Sequence, residues 1–198
     1  MSNHPGPPGP VCPQYAMMHI RTTTEADEPA IRKVHEAAFG LPEGVTVASL
    51  ATALLHDTTA QPVFSFLACA QSVPTGHVLF TTVRVSGPDR SPAASILAPL
   101  AVLPDHRRQG TGTQLVRTGL AVLAEAGCEL VFVLGHPSYY PRFGFQPAGQ
   151  LGFSAPYPIP RENANAWMVL ELCKGTIGNI SGTIRCAEAL DKPEYWRE

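Results

Sequence analysis

The middle of this chain leaves little choice of topology. Ala94 to Leu103 is a continuous apolar run, as expected of a strand buried on both faces. Arg107-Arg108-Gln109-Gly110-Thr111-Gly112 follows, and a helical pattern opens near Thr113 and runs to about Ala126. Leu115, Gly119, Val122, Leu123 and Ala126 give that helix its apolar stripe, and Gly127 is placed to cap it. Leu130 to Leu134 is the next apolar strand. A strand, a crossover helix and a second strand in this order specify a parallel pair.

Pro99 sits inside the first of these strands. Proline offers no backbone donor, so it marks a bulge or a place where the ladder stops. The Gly-rich turn after that strand is a potential anion cradle. Glycine lets a backbone approach a ligand closely, the amides that open a helix are unpaired, and the helix dipole favours negative charge there. Arg107 and Arg108 add permanent charge suited to phosphate oxygens.

Around this centre the pattern is mixed. His19 to Thr22 reads as a short strand. A helix capped by Asp27 or Glu28, with Pro29 in its first turn, buries Ile31, Val34 and Ala38 and stops at Gly40. Val47, Leu50, Leu54 and Leu55 mark a second helix. Pro62 to Ala70 and Gly76 to Val85 read as an antiparallel hairpin turned at Ser72 to Thr75, and Gly87 to Pro92 as a loop. Further strand-like runs fall at Leu151 to Ala155, Trp167 to Cys173 and Thr183 to Cys186, with a short helical or turn segment at Tyr139 to Phe143. The expected organisation is a Pro/Gly-rich disordered tail over residues 1–18, one domain over 19–173, and a tail over 174–198 with room for one more strand.

Bulk properties narrow the function. The chain has 198 residues, enough for one domain with a real core, and is 44% hydrophobic and 15% charged. A net charge of −2 argues against a nucleic-acid-binding face, so the arginine pair points to a small polyanion. No apolar run approaches the roughly 20 residues a transmembrane helix needs, and no secretory signal stands at the N-terminus. Cys12, Cys69, Cys128, Cys173 and Cys186 are scattered with no Cys-x-x-Cys pair, which supports neither a metal site nor a disulfide framework. Free thiols in the cytoplasm are the simplest expectation, with Cys69, Cys128 and Cys173 packed and inert on strands or strand ends.

A third feature joins the strand and the loop: Tyr139-Tyr140-Pro141-Arg142-Phe143-Gly144-Phe145, after the Leu130–Leu134 strand. With all three in order, the sequence resembles the GNAT superfamily of acetyl-CoA-dependent N-acyltransferases over roughly residues 19–173. Arg107, Gly110 and Gly112 fill that family's Arg/Gln-x-x-Gly-x-Gly/Ala motif. Tyr140, Gly144 and Phe145 fill its aromatic segment. The resemblance implies a mixed, mostly antiparallel sheet of about 6–7 strands, with a splayed parallel pair in the middle and about four flanking helices. It implies that the backbone amides of Arg108, Gln109, Gly110, Thr111, Gly112 and Thr113 hold the CoA pyrophosphate with help from Arg107. The strand edge at Leu100 and Val102 would pair with the pantetheine arm as a peptide adds to a sheet edge, and strand amides left free by the splay would polarise the thioester carbonyl. Tyr140 becomes the general acid. A thiol titrates near 8.5 and a tyrosine near 10, close enough for useful proton donation to the departing thiolate.

A strand glutamate that serves many members as base has no counterpart between Ala93 and Val102. His136 is the nearest titratable group in sequence logic; its alternative role is a strand-end histidine bonding a carbonyl. His106 would face phosphate or solvent, and Asp105 could cap the turn. The activity implied is acetyl transfer to a primary amine, small-molecule or peptide, by direct attack in a ternary complex. No metal, nucleic acid or membrane is involved. A non-catalytic acyl-CoA-binding or regulatory module is the alternative. A dinucleotide oxidoreductase is disfavoured, because position 115 is Leu115 where a third glycine would stand. The acceptor groove would come from Ala38 to Ala53 and Leu151 to Trp167, with Glu43 and Glu162 as candidate amine holders. The 174–198 tail would complete a homodimer or cover that groove.

Overall fold

The computed structural model describes residues 18–87 and 90–196; the proline-rich stretch read as an N-terminal tail lies outside them but for Met18. Strand β1 (Met18–Thr22) is followed by helices α1 (Glu28–Phe39) and α2 (Glu43–His56), then by strands β2 (Phe64–Ala70), β3 (Val73–Ser86) and β4 (Ala94–Val102). Helix α3 (Thr111–Glu125) and strand β5 (Leu130–Leu134) complete the central crossover. Strands β6 (Gln146–Pro147), β7 (Phe153–Ser154), β8 (Trp167–Glu171) and β9 (Gly182–Arg185) follow. The main sheet runs β1-β2-β3-β4-β5-β8-β6. Its ladders are antiparallel except β4 with β5, which is parallel. The far end of β3 goes on to pair with β9, which lies parallel to β7. None of the helices among the described residues is long and apolar enough to cross a membrane.

Strand β5 shows why its run of apolar residues carries no polar alternation. Leu130 and Phe132 join one hydrophobic cluster, with α2, Trp167 and the C-terminal segment. Val131 and Val133 point the other way, into a cluster with Leu115, Val116 and Leu123 of α3. Successive side chains leave a strand on opposite faces, and here both faces are covered.

Three local readings need correction. The β2–β3 turn lies at Gln71 and Ser72, both left-handed (φ 48° and 71°), and Pro74 belongs to β3. Pro74 is tolerated because the ladder slips one residue there, between Ala68 and Cys69. Helix α3 begins at Thr111, two residues early, with the left-handed Gly110 at its cap. Its buried stripe runs through Thr111, Leu115, Val116, Gly119, Leu120 and Leu123, while Ala126 is exposed beyond the helix end. Leu151–Ala155 holds only the two-residue β7.

Residues beyond β8 return across the sheet to α2. Asp57, just past α2, accepts bonds from the backbone of Thr59 (2.7 Å) and Ala189 (2.8 Å). Burial pushes its carboxyl up, but the Thr59 hydroxyl, which donates to it at 2.6 Å, and those two amides outweigh burial and hold it below the ordinary value. Thr59 Oγ1 accepts from the Glu188 amide at 2.9 Å. In this segment Trp196 is 2% exposed, donates from Nε1 to the Leu190 carbonyl (3.1 Å) and meets Trp167 edge-on at 5.6 Å.

Candidate active site

The parallel ladder between β4 and β5 stops short. It runs from Ala94↔Leu130 to Leu97↔Val133 and goes no further. On its other side β4 stays paired with β3 as far as Gly76↔Val102. Between Phe80↔Leu97 and Val78↔Leu100, however, β4 spends one more residue than β3. That extra residue falls at Ala98-Pro99, where proline supplies no donor. Beyond Leu97 the β5-facing edge of β4 is therefore open, and half-buried Leu100 and Val102 stand on it. A cavity of about 470 Å³ occupies the gap, between Ala98, Pro99 and Leu100 on one side and Leu134, Gly135 and His136 on the other.

The Gly-rich loop lies past the end of β4. Arg108 (φ 59°) and Gly110 (φ 88°) are both left-handed and turn the chain into α3. Gln114 N–H makes the first α-helical closure, on the Gly110 carbonyl at 2.9 Å, so the amides just before it lie ahead of the ladder at the positive end of the dipole. Side chains brace the turn from beneath: Thr111 Oγ1 donates to the His106 carbonyl (3.2 Å) and Gln109 Nε2 to that of Asp105 (2.7 Å). The two arginines differ. Arg107 donates from Nε to the Val102 carbonyl (3.2 Å) and from its terminal nitrogen to the Ala38 carbonyl, tying the end of α1 to the end of β4. The Arg108 side chain is exposed in the loop.

Tyr140 opens the short 3-10 turn Tyr140–Phe143 and lines the cavity at 7% exposure. Tyr139 and Phe145 hold its ring at centroid distances of 5.1 and 5.7 Å. Gly135 makes room for it, since a Cβ there would stand 2.5 Å from the ring. Tyr139, expected only to pack, also reaches the loop. Its hydroxyl bonds the Thr113 side chain, and a Cβ on Gly112 would come within 2.8 Å of that oxygen. Burial raises the Tyr139 phenol above its ordinary value, against Thr113 and the Arg142 guanidinium 4.6 Å from the ring centroid. His136 is exposed at the cavity rim, and its carbonyl accepts from the amides of Tyr139 (2.9 Å) and Tyr140 (3.5 Å).

The cavity draws on one of the two segments expected to form an acceptor groove, through Phe39, Glu43, Thr46, Val47 and Leu50. Glu43 lines the cavity, whereas Glu162 and the rest of 151–167 do not. Phe153 is drawn into the core beneath Trp167 and Phe132, which pulls that segment away from the gap. Leu190, Glu194, Tyr195 and Trp196 form the wall in its place, so the C-terminal segment reaches the site. Cys173 is exposed rather than packed; Cys69 and Cys128 are buried.

A buried polar chain has no counterpart in the sequence reading. Ser65 Oγ meets His77 Nε2 at 2.9 Å, and His77 Nδ1 meets His35 Nε2 at 2.8 Å. Both histidines are fully buried, and His35 Nδ1 has no hydrogen-bond partner. Burial lowers the His35 imidazole to about 4 and, reinforced by His35, pushes His77 well below its ordinary value. An unfolded imidazole titrates near 6.5, so on acidification the unfolded chain takes protons that the folded one refuses. The contribution to stability is full above about pH 6.5 and is lost as pH falls toward about 4, on the order of 3 kcal/mol from His35 alone. Melting temperature should fall between about pH 7 and 5, and more shallowly in the H35L/H77L double variant. Equal slopes in the two proteins would refute this assignment.

Known proteins resemble this chain across most of its length. The Acetyltransferase (GNAT) domain family matches residues 19–148. The uncharacterized N-acetyltransferase YjhQ of Escherichia coli K12 is 44% identical over 167 residues, 84% of this chain and 90% of that protein. The crystal structure of the E. coli N-acetyltransferase YhbS in complex with CoA superposes with a TM-score of 0.79 at 27% identity, covering 92% of this chain and 96% of the other. A Brucella melitensis GNAT acetyltransferase in complex with acetyl-CoA gives 0.70 at 28% identity, over 89% and 99%. With its sheet split between parallel strands, and with these matches in sequence and fold, the chain belongs to the GNAT acetyltransferase family.

Proposed function

We propose that this protein moves an acetyl group from acetyl-CoA to a primary amine by direct attack in a ternary complex. The observation that carries the reading is the alignment of three parts along one path: the loop at the N-terminus of α3, the open β4 edge after Leu97, and the cavity that Tyr140 lines. The residues fit acetyl-CoA. The amides of residues 108–113 and the Arg108 guanidinium suit its pyrophosphate. The groups of β4 facing the gap suit the pantetheine amides. Arg107 acts one step back, holding the strand end against α1.

In the cavity the amine nitrogen bonds to the thioester carbonyl carbon and the carbon–sulfur bond breaks. Donors on the splayed strand suit the oxygen charge that develops. Tyr140 donates its phenolic proton to the departing sulfur. His136, at the rim, takes the proton that the amine gives up, directly or through water. The absence of a carboxylate from β4 favours a second reading, an acyl-CoA-binding module without turnover.

Two measurements separate the readings. Acetyl-CoA at about 100 times its dissociation constant should stabilise the fold by about 2.7 kcal/mol. Release of free CoA thiol should then depend on an added amine. A shift without release supports the binding module; neither shift nor release removes both.

A further inference from the structure

Resting on the acetyl-transfer reading, we propose that the acceptor is a small cationic amine with an apolar body and no carboxylate, selected by a wall that the C-terminal segment builds. The end of α1, helix α2 and Leu190, Glu194, Tyr195 and Trp196 of the C-terminal segment supply part of the cavity lining besides the split strands and Tyr140. The lining there is largely apolar and aromatic, through exposed Phe39 and half-buried Tyr195, with Leu190 and Trp196 buried behind. The charged side chains among its lining residues are two carboxylates, Glu43 in the first turn of α2 and Glu194 in the 3-10 turn Pro193–Trp196; no Lys or Arg lines it.

That balance discriminates by charge. An ammonium approaching the gap meets carboxylates of opposite sign, with apolar surface to take up its body. A free amino acid brings its own carboxylate among like charges, with no guanidinium or ammonium in the lining to pair with it, and like-charge juxtaposition is costly. Size sets a second limit. The cavity of about 470 Å³ lies in the range of single small-molecule sites, and part of it must take the acetyl thioester. A one-ring or short aliphatic amine fits what remains. Glu194, Tyr195 and Trp196 lie outside residues 19–148, so selection is placed in a part of the chain outside the family match.

Matched pairs that differ by one carboxylate test this. Phenethylamine against phenylalanine and tyramine against tyrosine are compared by kcat/KM for CoA release with the full-length protein, alongside a peptide amide with a free N-terminus. The amine of each pair should exceed its amino acid by at least about tenfold, a difference of about 1.4 kcal/mol. In the E43Q/E194Q double variant this preference should shrink at least about threefold through KM, while the acetyl-CoA thermal shift is retained; the single variants carry the comparison if the double variant does not fold. Equal or better use of the amino acids, a preference untouched by the substitutions, turnover of the peptide alone, or acetyl-CoA binding with no turnover of any amine each overturns the proposal. Absence of the acetyl-CoA shift in the unsubstituted protein overturns instead the reading on which it rests.

Discussion

Replacing Tyr140 with Phe is expected to lower kcat by about 10²- to 10³-fold, within the range typical of losing a positioned general acid, with the acetyl-CoA thermal shift preserved. The substitution keeps the ring and removes one oxygen. The packing against Tyr139, Phe143 and Phe145 is made by ring faces and edges, so the aromatic cluster should survive. What goes is the proton meant for the departing thiolate. At neutral pH that thiolate is a poor proton acceptor from water but a good one from a phenol held beside it, because the two groups titrate within about two units of each other. The loss should appear in kcat rather than in the KM for acetyl-CoA, since the contact exists only as the carbon–sulfur bond breaks. A Y140F protein with unimpaired kcat would remove the tyrosine from the mechanism. A Y140F protein that also loses the thermal shift would show the ring to be part of donor binding.

The second large effect is expected at Trp196. Its side chain is 2% exposed, stacks edge-on against Trp167 and closes a hydrogen bond onto Leu190. Truncation to Ala should cost about 3–5 kcal/mol, as for other buried aromatic residues. For a chain of this size that is a fall in melting temperature on the order of 10 °C. Activity should report a second consequence. Trp196 anchors, together with the bonds to Asp57 and Thr59, the segment that brings Leu190, Glu194 and Tyr195 to the cavity. The KM for the amine should therefore rise several-fold, while the KM for acetyl-CoA, set by the loop and β4, stays close to its original value. The milder W196F change should recover most of both. Equal changes in the two KM values would show a general loosening instead of a lost acceptor wall.

The elements around the Gly-rich loop could be read from the residues because their determinants are local. A strand, a Gly-rich turn, a helix and a second strand follow one another without interruption, and each declares itself by periodicity or by a backbone requirement. Pro99 marked the interruption of β4 for the same reason: a missing donor is a property of one residue. Helix α3 starts two residues ahead of its apolar pattern because packing of Thr111 and Leu115 outweighs the poor helix propensity of Gly110-Thr111-Gly112. The Gln71-Ser72 turn was hidden because neither residue prefers the left-handed region and the true turn signals, Pro74 and Gly76, lie just beyond it.

The cavity wall opposite the split strands was far less legible. Glu43 and Glu194 lie on segments that meet only when the C-terminal residues return across the sheet, guided by bonds from Asp57 and Thr59 that no spacing reveals. The His35–His77 contact is of the same kind. Val34 and Ala38 identify the buried face of α1, and His35 adjoins that face, but nothing in the sequence says that a second histidine, 42 residues on, will face it.

Tyr139 makes two sites answer to one another. Its hydroxyl lies against Gly112 and Thr113, and its ring lies edge-on to Tyr140, the next residue in the chain. The turn expected to grip the diphosphate and the phenol expected to release the thiol are thus joined by a single side chain, like two levers on one pin. Neither can be re-aimed without moving the other. A change in the first turn of α3 that shifts Tyr139 should therefore disturb Tyr140 as well, and glycine at 112 is the residue that leaves the pin its space.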